Sequence, residues 1–492
     1  MDYKEQFQKI CEEANLVGAN SVIVKNDEIK ERCFYGYSDL ETKTKTNEKT
    51  IYRIASISKT ILSIALMQLY EENKFSLDQD ISDIFGFKIR NPKYPDIIIT
   101  PKMILTQTSS ITDGYDDENP DYDGIIKGYN GINGSNIDVS LKELLTDPNN
   151  QYYTPLTFSD YAPGERFIYS NFGCGIMACM IEKLSGEYYF DYMEKHIFAP
   201  LNIDASFIAS RIKRKENIAS TYLFVEESKE NIISRSNGSF INGSYKIWPL
   251  GNNFRGPAGG LFIDMDDLST LMRMFINGGT INNVRLLKKE TVDLMYQIHW
   301  IGKGDGYFGK GLQMRILETF EEENKVFRGH TGGAYGVRSY MFFSLKYNYG
   351  MIFITNGGGY KTDNDHKILD VFYKTMRASL DLYLNEEKPS VLTIDLEKQI
   401  ATVDNRTIIL DIKPFEYNND IYLSSLNIID GLGLVGDRIE VEGSTTIKKN
   451  GKSITYLNPI KFDEFEVIPL FNTLDSLGIK YIKKGNIITI NY

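Results

Sequence analysis

The chain has 492 residues, too many for one simple core, so two or three domains are expected. Hydrophobic residues at 42% and charged residues at 25% are the proportions of an ordinary globular protein rather than a fibrous or membrane one. The net charge of −11 argues against nucleic acid or an anionic membrane as the main partner. The segment Met1–Phe7 has neither the basic nor the apolar run of a secretory signal. No window approaches the ~18 continuous apolar residues of a membrane span. Cys11, Cys33, Cys174 and Cys179 lack metal-ligand or redox spacing and read as free thiols, so a cytoplasmic location is expected.

In chain order, residues 3–15 read as a short helix. Residues 20–25 and 29–37 read as strands divided by the turn Asn26-Asp27-Glu28. Between Ile61 and Leu69 nearly every residue is apolar, the mark of a buried helix, and Ser56 stands at its start. The first turn of such a helix offers unsatisfied N–H groups and the positive end of the dipole, which stabilise an oxyanion. Lys59 lies three residues on and returns to the face of the Ser56 hydroxyl. A lysine partly desolvated there loses some preference for its charged form and can take a proton from serine. Taken alone, the same letters fit an N-cap serine followed by a surface lysine.

Residues 100–108 read as a helix begun at Pro101. Residues 112–165 are acidic and rich in Gly, Asn and Tyr, with an apolar helical patch near 141–145. They read as an inserted lobe of helix and loop forming one wall of a cleft. A buried helix at 174–184 is stopped by Ser185-Gly186. Residues 210–255 are polar with few helix signals and suit a lid, and a helix follows at 266–276. Strands are expected at 311–317, 326–330, 337–344 and 351–355, then a long amphipathic helix at 363–384. Strands bracketing a block of helices predict an α+β fold, an antiparallel sheet flanked by helices with an all-helical lobe inserted.

The character changes near Glu386-Glu387-Lys388-Pro389. Pro414 stands 16 residues before Asp430, and Pro459 stands 16 before Asp475. Asp430-Gly431-Leu432-Gly433-Leu434 lies 45 residues before Asp475-Ser476-Leu477-Gly478-Ile479. Each unit reads strand, turn, strand, short helix, Leu-Gly turn, strand. Two units are too few for a solenoid, so they are expected to pack on each other as one small α+β repeat domain. The expected division is 1–385 and 390–492.

Three features converge. Ser56-Ile57-Ser58-Lys59 opens a buried helix, Tyr169-Ser170-Asn171 sits before another, and His330-Thr331-Gly332 ends a strand and is followed by Gly333. In order and spacing the set resembles the penicillin-recognising serine hydrolases, a superfamily of class C β-lactamases, DD-peptidases, D-aminopeptidases and esterases. The flanking phrases Tyr52-Arg53-Ile54-Ala55 and Pro163-Gly164 agree. So does Ile104-Leu105-Thr106-Gln107-Thr108-Ser109, except that the family usually has histidine in the place of Gln107. The resemblance covers roughly residues 5–385. It implies Ser56 as nucleophile of an acyl-enzyme, with Lys59 easing removal of its proton and Tyr169 as base or as acid to the leaving group. It also implies Asn171, His330 and Thr331 as substrate-binding residues, and the N–H groups of Ser56 and Gly333 as an oxyanion hole. The C-terminal repeat is similar to the small domain named after the N-terminal domain of copper amine oxidases, and it suits docking of a partner or of the hydrolase domain. No His or Cys follows His366, so copper there is not expected, nor is a metal or cofactor elsewhere.

Lactamases usually carry lysine at the position of His330, where a fixed cation meets the substrate carboxylate. Histidine is mostly neutral at pH 7, which points to the peptidase and esterase branches. The expected activity is hydrolysis of a small amide or ester, a peptide among the candidates. A β-lactamase, or a protein that binds penicillins or other ligands without turnover, is the alternative. Gly304-Asp305-Gly306-Tyr307-Phe308-Gly309 matches a dinucleotide-binding pattern, but a strand rather than a helix is expected after it. No G-x-S-x-G elbow exists, so an α/β-hydrolase is not expected.

Overall fold

The computed structural model describes the chain apart from residues 115–126, 244, 303–308, 321–322, 324, 367, 386–387, 434–435, 438–443, 450 and 463–464. Most of the Gly304–Gly309 stretch therefore lies outside the described residues. Among those described, nine strands form one sheet. Its order is Trp300–Ile301, Gly309–Gly311, Met314–Phe320, Lys325–Ala334, Val337–Ser344, Tyr349–Thr355, Gly18–Lys25, Glu28–Asp39 and Thr44–Lys45, with every pair antiparallel.

The period of two along the central strands sorts the core into two layers. Val22, Val24, Met341, Phe343, Ile352 and Ile354 face the helical lobe. Ala19, Ile23, Tyr340, Phe342, Met351 and Phe353 face the helices Tyr3–Glu13 and Asp370–Tyr383. Both sheet faces are thus covered, and the helix Ile57–Glu71 is buried along nearly its whole length beside the helix Asn171–Ser185. The architecture is the expected α+β arrangement.

Three boundaries differ most from expectation. The strand foreseen at 311–317 is two strands, because Leu312-Gln313 turns with Gln313 at φ 52°. The strand foreseen to end at His330 runs on through Ala334, paired residue by residue with Val337–Ser344. The helix foreseen from 363 begins only at Asp370. The Asp363 carboxylate accepts the N–H groups of Asp365 and His366, at 3.1 Å each, and this local turn competes with helix. The segment foreseen as a lid carries the hairpin Thr221–Val225 with Glu230–Arg235 and a short helix, Asn237–Ile241.

The C-terminal segment folds on its own repeat. Strands Asp420–Ser424 and Phe465–Pro469 pair with Leu423 opposite Ile468, its equivalent 45 residues on. Helices Ser425–Gly431 and Leu470–Leu477 occupy matching places after them. This segment meets the rest through the helix Lys289–Tyr296 and the chain after it. Gln297 and Ile409 exchange hydrogen bonds of 2.7 and 2.9 Å, and Thr407 N–H donates to Asp293 at 2.9 Å. Ile298, Ile301 and Ile316 share one apolar cluster with Leu392, Ile408 and Ile429. No helix among the described residues is long and apolar enough to cross a membrane.

Candidate active site

Ser56 is presented by a strained turn. Ala55, just before it, sits at φ 51°, a left-handed conformation costly for a residue with a Cβ. Ser58 holds that turn by donating to Ala55 O at 2.6 Å, and it accepts from Leu261 N–H at 3.2 Å. Ser56 itself is helical and its hydroxyl makes no capping bond, so the N-cap alternative does not hold. The Ser56 N–H has no backbone acceptor among the described residues. The His330 strand passes close by. A Cβ at Gly332 would lie 2.7 Å from Ile54 O and 3.1 Å from Ala55 Cβ, so a side chain there would push the strand from the serine.

Ser56 Oγ accepts from Lys59 Nζ at 3.1 Å and from Tyr169 Oη at 2.7 Å. Lys59 is fully buried and gives its other donors to Asn171 Oδ1 at 2.9 Å and Ala258 O at 2.8 Å. Three acceptors match the three N–H bonds of an ammonium. Nζ also stands 4.8 Å from the centre of the Tyr169 ring.

A carboxylate that the sequence motifs do not single out organises the second loop. Asp113 accepts from Asn171 Nδ2 at 2.8 Å, Ser170 Oγ at 3.1 Å and Phe172 N–H at 2.8 Å. It thereby turns Asn171 Oδ1 toward Lys59, and Ser170 caps the helix through Gly173 N–H. Gln107, buried at φ 60°, accepts Ile168 N–H on its carbonyl, so the residue standing where the family has histidine braces the chain before Tyr169. Nothing in local sequence marks Asp113 as anything but one acid of an acidic loop.

His330 is buried, with its ring centre 6.2 Å from that of Tyr169. Its Nδ1–H donates to Thr331 O, which leaves Nε2 as an acceptor. Burial, then the positive charges of Lys310 and Lys59, hold its pKa well below the ordinary histidine value, so the ring is neutral. Lys310 is buried next to the same group, and burial with neighbouring Arg315 pushes it down to about 7. Gly333 lies opposite Arg338 and lines, with Ser56, a cleft of about 480 Å³. The structure thus brings Ser56, Lys59, Tyr169, Asn171, His330, Thr331 and Gly333 to one place. The described residues hold no cluster of three or more His, Cys, Asp or Glu able to bind a metal ion.

The chain is similar to known proteins in sequence and in fold. The chain is 23% identical over 367 residues to protein flp of Staphylococcus aureus strain N315, covering 72% of this chain and 63% of that protein. It therefore spans less than two thirds of that relative's length. An uncharacterised protein of Mycobacterium tuberculosis, MT1414, is 24% identical over 305 residues, 59% of this chain and 69% of its own. Three solved structures share the fold. The octameric penicillin-binding protein homologue from Pyrococcus abyssi has TM-score 0.56 and 18% identity, and 98% of each chain is covered. The D-amino acid amidase from Ochrobactrum anthropi SV3 gives 0.55 and 17%, over 78% of this chain and all of its own. EstCE1, a hydrolase with promiscuous acyltransferase activity, gives 0.58 and 20%, over 77% and 97%. The model of the Beta-lactamase family matches residues 4–372, and this chain belongs to that family, within the superfamily of penicillin-recognising serine hydrolases.

Proposed function

We propose that the protein is a serine hydrolase that cleaves a small amide or ester through an acyl-enzyme on Ser56. The observation that carries this reading is the double contact on Ser56 Oγ, from Lys59 Nζ at 3.1 Å and Tyr169 Oη at 2.7 Å. A binding module has no need of a buried cation and a proton carrier on one hydroxyl. In the reactive form Tyr169 has given up its own proton: Oγ attacks the substrate carbonyl carbon and passes its proton to the Tyr169 phenolate, while the Lys59 ammonium stabilises negative charge on either oxygen. The carbonyl oxygen becomes an oxyanion held by the N–H groups of Ser56 and Gly333. Collapse breaks the bond to the leaving group, which takes its proton from Tyr169. Water then attacks the ester on Ser56 and regenerates the hydroxyl. Asn171 holds Lys59 and meets the substrate, and neutral His330 with Thr331 binds the leaving side by hydrogen bonds rather than by charge. This favours the amidase and esterase reading over a β-lactamase. The D-amino acid amidase and the hydrolase EstCE1 among its structural neighbours are consistent with it.

The test is reaction with a fluorophosphonate followed by mass mapping. A single adduct on Ser56, and hydrolysis of a simple aryl ester lost in Ser56→Ala, is the expected result. Labelling that survives in Ser56→Ala ends the assignment.

A further inference from the structure

We propose that the cleft beside Ser56 selects an acyl group carrying a carboxylate, held by Arg53 and Arg235 next to Tyr335. This rests on the serine hydrolase reading. The cleft of about 480 Å³ is lined by Ser56, Asn171, Ala258 and Gly333, but not by Tyr169, His330 or Thr331. In the proposed reaction the leaving group departs toward Tyr169, so the acyl part occupies the cleft.

The charges in that cleft are one-sided. Arg53, Arg235, Lys246 and Arg255 line it, and among the described residues no Asp or Glu does, although the whole chain carries a net charge of −11. Lys246 is paired with Asp138 at 3.5 Å. Among the described residues the three arginines have no carboxylate within ion-pair distance. The guanidinium carbons of Arg53 and Arg235 stand 4.7 and 4.9 Å from the centre of the same ring, that of Tyr335. Arg53 is fixed by donation from Nε to Gly259 O at 2.9 Å. Tyr335 projects from the hairpin turn after the His330 strand, at φ 51°, with 43% of its surface exposed. Like charges brought together without an anion repel, and planar guanidiniums match a carboxylate with paired hydrogen bonds.

Arg255, buried in the cleft wall, adds a third positive charge. It donates from Nη2 to Ile137 O at 2.8 Å, while Nε and Nη1 have no acceptor among the described residues. A buried charge such as that of Arg255 attracts an anion more strongly than one at an open surface. Phe207, Phe240 and Phe262 in the walls suit a short methylene chain between the carbonyl and the carboxylate.

The experiment compares kcat/KM for the p-nitrophenyl hemiester of glutarate with that for its methyl ester, in the full chain. The carboxylate form is expected to be at least tenfold better. The exposed Arg235 is the safe site to change, with folding checked by thermal melting: Arg235→Glu should bring the ratio to one or below, and Arg235→Lys should keep most of it. A wild-type ratio near one, or a ratio that Arg235→Glu leaves alone, overturns the proposal while the hydrolase reading stands. If neither ester is turned over, the hydrolase reading fails instead. Calorimetry with glutarate then decides the anion site: binding weakened tenfold by Arg235→Glu supports it, and no binding overturns it.

Discussion

Two buried charges in this molecule are treated in opposite ways. Asp430 is fully desolvated and neutralised, with Arg406 donating from Nη1 and Nη2 at 3.0 Å each and Arg328 from Nη2 at 3.3 Å. These arginines hold its carboxyl below the ordinary range despite burial. Lys59 is just as buried, yet its partners are a hydroxyl, an amide oxygen and a carbonyl. The carboxylate that opposes it, Asp113, is kept one residue away behind Asn171. A buried charge given its counter-charge is a structural tie. One given only neutral acceptors retains an electric field that developing negative charge on a substrate can use.

The sharpest way to break the comparison is to remove the field. Lys59→Ala and Tyr169→Phe are each expected to slow fluorophosphonate labelling of Ser56 by at least ~100-fold, the scale of losing an acid–base group. Ser56→Ala abolishes it. Stopped-time mass spectrometry measures all three, and unchanged rates in both Lys59→Ala and Tyr169→Phe mean that the proton goes elsewhere.

At the structural tie the effect belongs to stability instead. Asp430→Ala removes the carboxylate that Arg406 and Arg328 share and leaves the buried Arg406 guanidinium without it, which costs about 3–5 kcal/mol. Thermal melting of the full chain should show the loss, while the labelling rate of the folded protein stays within a few-fold of wild type. A labelling loss as large as that of Lys59→Ala contradicts the division between tie and field. Residues 390–492 are expected to be dispensable for the chemistry itself. Yet a chain ending near Glu387 strips Arg328 of Asp430 and uncovers Ile298, Ile301 and Ile316, so lower stability is expected of it.

Between the two regions stands His330, buried among cations yet neutral. His330→Lys is expected to raise several-fold the preference for an ester whose leaving group bears a carboxylate over its methylated analogue, as an ammonium replaces a neutral ring. Because Lys59 and Lys310 already lower the pKa of this position, the variant should also melt earlier. A kcat/KM ratio that does not move sinks the idea that this residue sets leaving-group recognition.

The parts of the structure legible in the sequence are those with a short period. Apolar runs marked the helices that begin after Ser56 and Ser170, and the three-residue step put Lys59 beside the Ser56 hydroxyl. The offset of 45 foretold a segment in which Leu423 faces Ile468. What stayed hidden was set by long-range contacts. Asp113 meets Asn171 only because the inserted lobe folds back, and Arg235 reaches Tyr335 only through the hairpin Thr221–Arg235. Asp430 and Asp475 are equivalent in the repeat, yet one is buried between arginines and the other exposed. Boundaries were misjudged at Gly332, a glycine that stays within its strand, and at Asp363, where an Asx turn competes with helix.

The smallest effect expected concerns protons rather than activity. His299 is half-buried, with Nε2–H donating to Leu294 O at 2.7 Å, and desolvation lowers its pKa to about 4. The folded protein therefore leaves it neutral where the unfolded chain binds a proton, below ~6.5. Its contribution to stability is complete above that value and declines as pH falls toward 4, by up to ~1.4 kcal/mol per pH unit. Buried His330 acts with the same sign. Glu182 and Asp267 act with the opposite sign, because burial raises both to about 7 and the folded state gains protons first. The net pH dependence of the wild type between 6.5 and 5.5 is thus expected to be shallow, because the histidines and the raised carboxyls oppose one another. His299→Gln keeps a donor for Leu294 O and removes one of the two histidines from that balance. Urea denaturation at the two pH values should then show the variant gaining about 1 kcal/mol relative to wild type on going from 6.5 to 5.5. An unchanged difference between the two proteins across that interval means that His299 titrates alike folded and unfolded, and that the interior beside the C-terminal segment is open to water.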